Sequence, residues 1–418
     1  MKHSSSRAQR ACALLLCGWT AANAAGERSL SLHDVISLTE QHNPELAVFA
    51  DEQESSRQQA AILAQQPAFT VAVQLENFAG TSALAAARSL ETTLQLSQVI
   101  ERGSKAQRRY EQGRRQLEQL VAEQRARRAD ILAEVARRFV HVLADQEALK
   151  AAERTTRLAE QTREAVRRRV DAGAASEVLL GRAQIALSRS RVIQEHAEHE
   201  LASSRVALAV MWGESEAQVF QVEGELFEFP PPQSLQAYLE RLDTNPELLD
   251  LATQAKLLQS RERVAESQGF ADITVSAGVR RLEGMDDHAL VAGFAIPLGA
   301  AKRARPQLLA LAAQRRQLEH STRSLRLQLR ARLFSLYQEL LHEQGQAQAL
   351  QMAIRPQALA VLETIAAGFR AGRYSLLELA EARQELLKIE QDAIHAAAQF
   401  HTNLIDIQRI TGLGLGSM

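Results

Sequence analysis

Two pairs of short segments alternate apolar and polar side chains with a period of two, which predicts strands with one apolar face. The first pair covers residues 68–76 and 89–98, and the second pair covers 272–280 and 288–297. Each segment is about ten residues long, which is the length of a tilted strand that crosses a bilayer. The clearest apolar positions of the first segment are Phe69, Val71, Val73 and Leu75. The chain is therefore predicted to contain two β-hairpins.

Helical spacing of apolar residues extends over most of the remaining chain. Two long helices are predicted over 104–170 and 302–370, each about 100 Å long at 1.5 Å per residue. Pro356 is expected to kink the second of them. The pattern also predicts four shorter helices of roughly 55 Å each. These cover residues 32–65, 176–212, 234–269 and 375–410.

The lengths of these helices suggest how they pack. Two short helices placed end to end match one long helix in length. We therefore expect 176–212 and 234–269 beside the first long helix, and 375–410 and 32–65 beside the second. The strands would then cluster at one end of a helical rod, with glycine-containing turns at the other end.

The same plan occurs twice along the chain. Asn43-Pro44-Glu45-Leu46 returns as Asn245-Pro246-Glu247-Leu248, an offset of 202 positions (245 − 43), and Gly173 returns as Gly372, an offset of 199 (372 − 173). A near-constant offset over this length indicates tandem duplication of one structural unit. The predicted division is a first repeat over 25–212, an equatorial linker over 213–232 and a second repeat over 233–418.

The N-terminus predicts export. Basic residues precede the short apolar run 11–19, and Ala22-Asn23-Ala24 offers small residues to signal peptidase, so residues 1–24 are predicted to be a signal peptide. The apolar run is about half the length of a membrane-spanning helix. Both cysteines, Cys12 and Cys17, lie in this segment. Cleavage would leave a mature chain without disulfides or a thiolate metal site. Lipidation of Cys17 is the alternative.

Composition narrows the class of function. The chain of 418 residues has a net charge of −1 and only 4% aromatic residues, and its arginines are interleaved with glutamates at helical spacing. That pattern is typical of solvated helix faces and gives no general attraction for nucleic acid. The sequence has no phosphate-binding loop, dinucleotide fingerprint or Ser–His–Asp spacing. It therefore predicts a protein that is not an enzyme and needs no cofactor.

Four strands on a helical rod would leave two open edges and an uncovered apolar face. In an exported protein, closing a barrel with neighbouring subunits would remove the edges and place the apolar face in lipid. The polar face, with Gln74, Glu76 and Arg280, would then line a watery lumen. A soluble β-sandwich on a stalk is the alternative, but it does not explain strands of membrane length.

Over the whole mature chain this pattern resembles the TolC-like outer-membrane efflux family. The resemblance rests on the tandem halves, the Asn-Pro-Glu-Leu helix starts, the strand pairs, and two glycine turns followed by serine at 171–176 and 370–375. Residues 76–80 and 91–98 are similar to the heavy-metal (cobalt–zinc–cadmium, CzcC-like) branch of that family. Residues 100–105 match this branch in part.

The resemblance implies a mostly α fold with a small β part, in which tandem-duplicated long α-helical hairpins form a periplasmic tunnel. It implies a homotrimer whose four strands per chain complete a twelve-stranded transmembrane β-barrel. The barrel would lie in the lipid of the outer membrane of a Gram-negative bacterium. The implied partners are a periplasmic adaptor (membrane fusion protein) and an inner-membrane resistance–nodulation–division pump.

The function implied by the resemblance is a passive exit duct for heavy-metal cations. Drugs, other small molecules or secreted polypeptide are alternative cargoes, and a periplasmic coiled-coil adaptor or stalk is an alternative without a channel. A duct should not retain its cargo, and a tight zinc site needs three or four converging ligands. We therefore predict no metal site and expect the helix histidines to be solvated. These are His196, His199, His395 and His401.

The resemblance also assigns functional residues at the glycine turns. Gly173, Ser176, Gly372 and Ser375 match the tip that docks the adaptor, although an ordinary helix-hairpin turn would use the same residues. Glu378 and Glu381 lie on one helical face beside the second turn, where they match an acidic tunnel gate together with Tyr374. Rings of carboxylates favour cations. A solvated surface pair is the alternative for the two glutamates.

Overall fold

The computed structural model describes residues 28–82, 86–215 and 220–414. The predicted signal peptide, with Cys12 and Cys17, lies outside the described residues, as does a part of the predicted linker. Within the described part, helices form most of the chain and strands form two separate sheets.

Nine α-helices occur in the described residues. They are α1 (Leu32–His42), α2 (Pro44–Leu63), α3 (Lys105–Asp171), α4 (Glu177–Ala209), α5 (Leu235–Glu240), α6 (Pro246–Gln268), α7 (Ala300–Ala349), α8 (Arg355–Arg370) and α9 (Leu376–Thr411). The first long helix is continuous. The second is divided into α7 and α8 by a π-helical turn at Leu350–Ile354. Pro356 lies two residues after this turn. The break fits its position, because proline lacks the N–H and crowds the preceding turn of an α-helix.

The helix expected over 32–65 is two helices, and the helix expected over 234–269 is α5, a 3-10 turn and α6. Both breaks come just before the Asn-Pro motif. Proline disfavours the α conformation in the preceding residue, and Asn43 and Asn245 are extended with ψ of 122° and 128°. Each asparagine then caps the helix that follows, so the duplicated motif is a helix start and not a continuation.

The same asparagines join helix ends in space. Asn43 Nδ2 donates to Met211 O at 2.8 Å, beside the end of α4, and Asn245 Nδ2 donates to Ile410 O at 2.9 Å in α9. The two carbonyls are themselves repeat equivalents. The start of α2 therefore lies against the end of the α4 segment, and the start of α6 lies against the end of α9.

This arrangement corrects the expected pairing of short and long helices. α2 and α4 both pack on α3, whereas α6 and α9 each contact both long helices, and α9 also packs on α8. The segment 32–65 was expected beside the second long helix, and 234–269 was expected to continue 176–212. Length alone could not separate the alternatives, because all the short segments are of similar length.

Four strands form one antiparallel sheet. These are β2 (Thr70–Glu76), β3 (Glu91–Ile100), β5 (Ile273–Leu282) and β6 (Asp287–Ala295), in the order β2-β3-β5-β6. The central pairing, β3 with β5, joins the two repeats. A second sheet that the sequence did not predict pairs β1 (Arg28–Leu30) in parallel with β4 (Phe220–Val222). β4 lies inside the region 213–232, which was expected to be an irregular linker.

Three hydrophobic clusters hold the helices together. The largest surrounds the small parallel sheet and includes Val35, Phe139 and Trp212. A second lies between α7 and α9, around Leu333 and Phe400. The third lies next to the glycine turns and is described below. No helix in the described residues is long and apolar enough to cross a membrane.

Candidate functional site

The two glycine turns have the same backbone. Gly173 follows α3 with φ of 71°, and Gly372 follows α8 with φ of 77°, a region that favours glycine. Gly173 N–H donates to Val170 O at 2.9 Å, and Gly372 N–H donates to Phe369 O at 3.1 Å. A Cβ at either glycine would meet no atom within 4 Å. The turns are therefore exposed, and each glycine is required by its backbone and not by close packing.

The serine caps differ in one important way. Ser176 Oγ accepts from Leu179 N–H at 3.3 Å, and Ser375 Oγ accepts from Glu378 N–H at 3.2 Å. At the second turn only, the carboxylate of Glu378 accepts in return from Ser375 N–H at 2.7 Å and from its hydroxyl at 2.8 Å. This is a capping box. The backbone N–H of Ser375, followed by its hydroxyl, lowers the pKa of Glu378.

The three residues predicted to form a gate lie close together along the chain but have different surroundings. Glu378 and Glu381 are both exposed on α9. Tyr374 is 39% exposed, and its ring covers Gly368 so closely that a Cβ at Gly368 would overlap it. The first repeat has Ala175 and Arg169 at the equivalent positions. The packing of the Tyr374 ring against Gly368, called the tyrosine wedge below, therefore has no equivalent at the first turn.

Side chains of both repeats fasten the two turns to each other. The guanidinium of Arg169 lies 5.8 Å from the centre of the Phe369 ring, and its Nη1 donates to Phe369 O at 3.3 Å. Below them Val166, Phe369 and Leu379 belong to one buried cluster. Arg383 of α9 reaches across to the Thr162 hydroxyl, and burial lowers the pKa of Arg383 to about 10. The two turns thus form a single packed tip.

A buried ion cluster above the tip was not predicted from the sequence. The Oε1 atom of Glu390 accepts from Arg154 Nη2 at 3.1 Å and from Arg355 Nε at 3.0 Å, and the Glu390 side chain is only 7% exposed. Arg355 comes directly after the π-helical turn. The sequence does contain a signal: Glu390 lies among apolar residues at helical spacing, including Leu386 and Ala393.

The four-stranded sheet has one apolar and one polar face. Cross-strand partners Val73, Leu94, Val279 and Leu290 form one row of the apolar face. These side chains are highly exposed; Val73 is 65% and Leu290 is 89% exposed. The polar face includes the row Thr70, Ser97, Ser276 and Gly293. An isolated chain would leave both the apolar face and the outer edges of β2 and β6 uncovered.

The histidines do not come together as a metal site. Among the described residues, no group of three His, Cys, Asp or Glu side chains could hold a metal ion. His196, His199 and His395 are exposed on helices, as expected. His401 was also expected to be solvated, but it is 8% exposed and its Nε2 pairs with Leu226 O at 3.0 Å. Burial lowers the pKa of His401, because it disfavours the charged imidazolium.

Comparisons with known proteins agree with this architecture. The outer membrane efflux protein family matches residues 35–214. The cobalt-zinc-cadmium resistance protein CzcC of Cupriavidus metallidurans is 28% identical over 323 residues, which are 77% of this chain and 77% of CzcC. Residues 35–214 thus form an outer membrane efflux protein domain. The protein is an outer-membrane efflux component and not an enzyme.

Solved structures of outer-membrane proteins share the fold. The outer-membrane channel OprN superposes with a TM-score of 0.75 at 16% identity, covering 92% of this chain and 90% of OprN. CusC gives 0.74 at 17% identity with 92% of each chain covered, and VceC of Vibrio cholerae gives 0.70 at 14% identity with 91% and 96% covered. The predicted fold class, a mostly helical chain with long helical hairpins and a small β-sheet, is confirmed.

Proposed function

We propose that this protein forms the homotrimeric outer-membrane duct of a tripartite efflux system for heavy-metal cations of the cobalt, zinc and cadmium type. The observation that carries the proposal is the combination of a channel fold with similarity to CzcC along most of both chains. The identity of the cation, the adaptor and the inner-membrane resistance–nodulation–division pump belong to the proposal. So does the division into a signal peptide over 1–24, two repeats over 25–212 and 233–418, and a linker over 213–232.

The exposed sheet supports the trimer. Its apolar face offers an uncovered surface to lipid, and the outer edges of β2 and β6 are free to pair with neighbouring copies. Three copies of four strands would close a barrel of twelve strands, which leaves no edge. The same closure would place the polar face on a lumen. An adaptor or stalk has no use for such a sheet.

The glycine turns are proposed as the adaptor-docking tip. Gly173, Ser176, Gly372 and Ser375 are exposed at one end of the helical hairpins, and the backbone of each turn is fixed by its glycine and its serine cap. A rigid, exposed tip suits a helical partner that must recognise it repeatedly. The adaptor would contact both turns of each chain.

The tunnel gate is proposed at the second turn, with Glu381 as its principal charge. Glu378 uses one carboxylate oxygen to accept two hydrogen bonds inside its own capping box, whereas Glu381 has no such partner among the described residues. Tyr374, held on Gly368, would set the position of the gate. A ring of three Glu381 carboxylates would favour cations over anions.

Deletion of the gene tests the cargo. Growth should become sensitive to zinc, cobalt or cadmium, and the complete chain should restore tolerance when the adaptor and pump are present. A Glu381→Gln variant should support less tolerance than Lys388→Gln, an exposed change of charge farther along α9. Sensitivity to drugs with unchanged metal tolerance would contradict the metal assignment. Recovery as a soluble monomer would contradict the duct.

A further inference from the structure

The charged side chains of the polar sheet face are concentrated at the end far from the helices. The last in-register row contains Glu76, Glu91, Leu282 and Asp287. The row before it contains Gln74, Thr93, Arg280 and Ala289. The rows nearer the helices contain no charged residue. They are built from Thr70, Ala72, Gln95, Ser97, Val99, Thr274, Ser276, Gly278, Val291, Gly293 and Ala295. Charge on this face is therefore confined to its loop end.

Arg280 holds part of this end in a fixed geometry. Its Nη1 lies 2.8 Å from Glu91 Oε2, its Nη2 lies 3.0 Å from Glu76 Oε2, and its Nε donates to Thr93 Oγ1 at 3.0 Å. Asn77 Nδ2 also donates to Glu91 at 3.1 Å. One guanidinium thus crosses three neighbouring strands and orients two carboxylates.

The charges at this end do not cancel. Glu76, Glu91 and Asp287 give three carboxylates against the single Arg280 guanidinium, so each chain has a formal excess of two negative charges on this face. Asp287 forms no ion pair within the described residues, and its Oδ1 accepts from His288 N–H at 2.7 Å. Carboxylates fixed around a pore raise the local concentration of cations and repel anions.

We propose that Glu76, Glu91 and Asp287, positioned by Arg280, form a cation-selective mouth at the outer end of the duct. This inference rests on the proposed barrel, because the polar face must line the lumen. The mouth would act on inorganic cations as they leave the duct. It is separate from Glu381, which lies at the opposite end of the molecule. Because the long helices separate the two ends by far more than the Debye length of about 8 Å at physiological salt, the two ends would attract cations independently.

Cysteine labelling tests the mouth without involving the gate. The only cysteines are Cys12 and Cys17 in the predicted signal peptide, so a cysteine introduced at Ala289 would be the single thiol of the mature chain. Ala289 is paired with Arg280 on the polar face. The complete trimer in lipid nanodiscs is treated with cationic and anionic thiosulfonate reagents of similar size. The ratio of the two reaction rates reports the local potential.

The charge variants have opposite expected signs. Asp287→Asn and Glu76→Gln should each lower the cation-to-anion rate ratio roughly two- to threefold, and Arg280→Gln should raise it. The matched control is Asp286→Asn, because Asp286 is the adjacent residue but pairs with Arg281, whose side chain belongs to the apolar face. The differences should be large near 0.01 M salt and be lost near 1 M, as the Debye length falls from about 30 Å to about 3 Å.

The outcomes separate this inference from the proposed function. A cysteine at Leu290, on the apolar face, should be protected by lipid. If Leu290→Cys and Ala289→Cys react equally fast, the face assignment and the proposed barrel are both wrong. If only Ala289→Cys reacts, but Asp287→Asn changes the rate ratio no more than Asp286→Asn does, the barrel stands and the cation-selective mouth is excluded.

Discussion

The hairpin that ends at Gly173 and the hairpin that ends at Gly372 have the same backbone turn but are stiffened by different side chains. The first has an uninterrupted long helix, a simple serine cap and small or exposed residues around it. The second has a π-helical turn, a buried ion cluster at Glu390, a tyrosine wedge and a capping box. Duplication preserved the shape of the hairpin, while the interactions that control its position diverged.

The largest difference should appear when the ion cluster is broken. Glu390→Ala leaves Arg154 and Arg355 without their shared carboxylate and should destabilise the chain by about 3 kcal/mol, at the low end for a buried pair because both arginines are partly exposed. The repeat-equivalent residue, Arg191, pairs with Glu160 on the surface. Arg191→Ala should cost less than about 1 kcal/mol. Thermal unfolding of the two variants in detergent compares these losses.

Equal losses in these two variants would show that the buried cluster does not distinguish the hairpins. Glu390→Gln serves as a further control because it preserves the size of the side chain. It should lose most of the stability that Glu390→Ala loses if charge is the cause. It should lose little if packing is the cause.

The tyrosine wedge gives the next effect. Gly368→Ala places a methyl group into the Tyr374 ring and should cost about 1–3 kcal/mol through overpacking. For comparison, Arg169 stands at the position equivalent to Gly368, and Arg169→Ala removes its contact with Phe369 without creating a clash. The double variant Gly368→Ala with Tyr374→Ala should recover most of the lost stability, as measured by thermal unfolding. A double variant as unstable as Gly368→Ala alone would show that the ring is not the obstacle.

The Asn-Pro motifs should behave alike, in contrast to the turns. Asn43 and Asn245 cap their helices with nearly identical distances and donate to equivalent carbonyls. Replacing either by alanine should cost about 1–2 kcal/mol. The measurement is chemical unfolding of the two single variants. A difference well above 1 kcal/mol between them would mean that the joints have diverged as the turns have.

The smallest effect concerns pH. The pKa of Glu378 is lowered from its ordinary value of 4.5 by hydrogen bonds from Ser375. The capping box therefore stabilises the second turn fully above that value, and this contribution is lost as the pH falls through the lower pKa of the folded state. Hydrogen exchange at residues 376–379 should accelerate in acid relative to 177–180, whose cap has Leu179 in place of the glutamate. In Glu378→Gln this acid-dependent difference should disappear.

Much of the fold could be predicted because its signals are local and occur twice. Period-two segments, glycine turns and Asn-Pro helix starts each depend on a few neighbouring residues. The side on which α2 packs could not be predicted, because helices of equal length fit either long helix. The β1–β4 pairing was also missed, since each strand has only three residues and they are far apart along the chain. The family resemblance assigns Glu378 to the gate, yet its Ser-x-x-Glu spacing also predicts a capping box.

The pairing of β3 with β5 has a consequence for how the chain is made. Arg280 and Thr93 are hydrogen-bonded neighbours although 187 residues separate them along the chain. Strand pairing at such separation requires closure of a very long loop and is slow. The first hairpin of strands therefore waits, with the edge of β3 unprotected, until β5 (Ile273–Leu282) of the second repeat has been synthesised and exported. A chain truncated after its first repeat would reach the periplasm with a sheet that cannot be finished, which makes the duplication an obligate unit of folding.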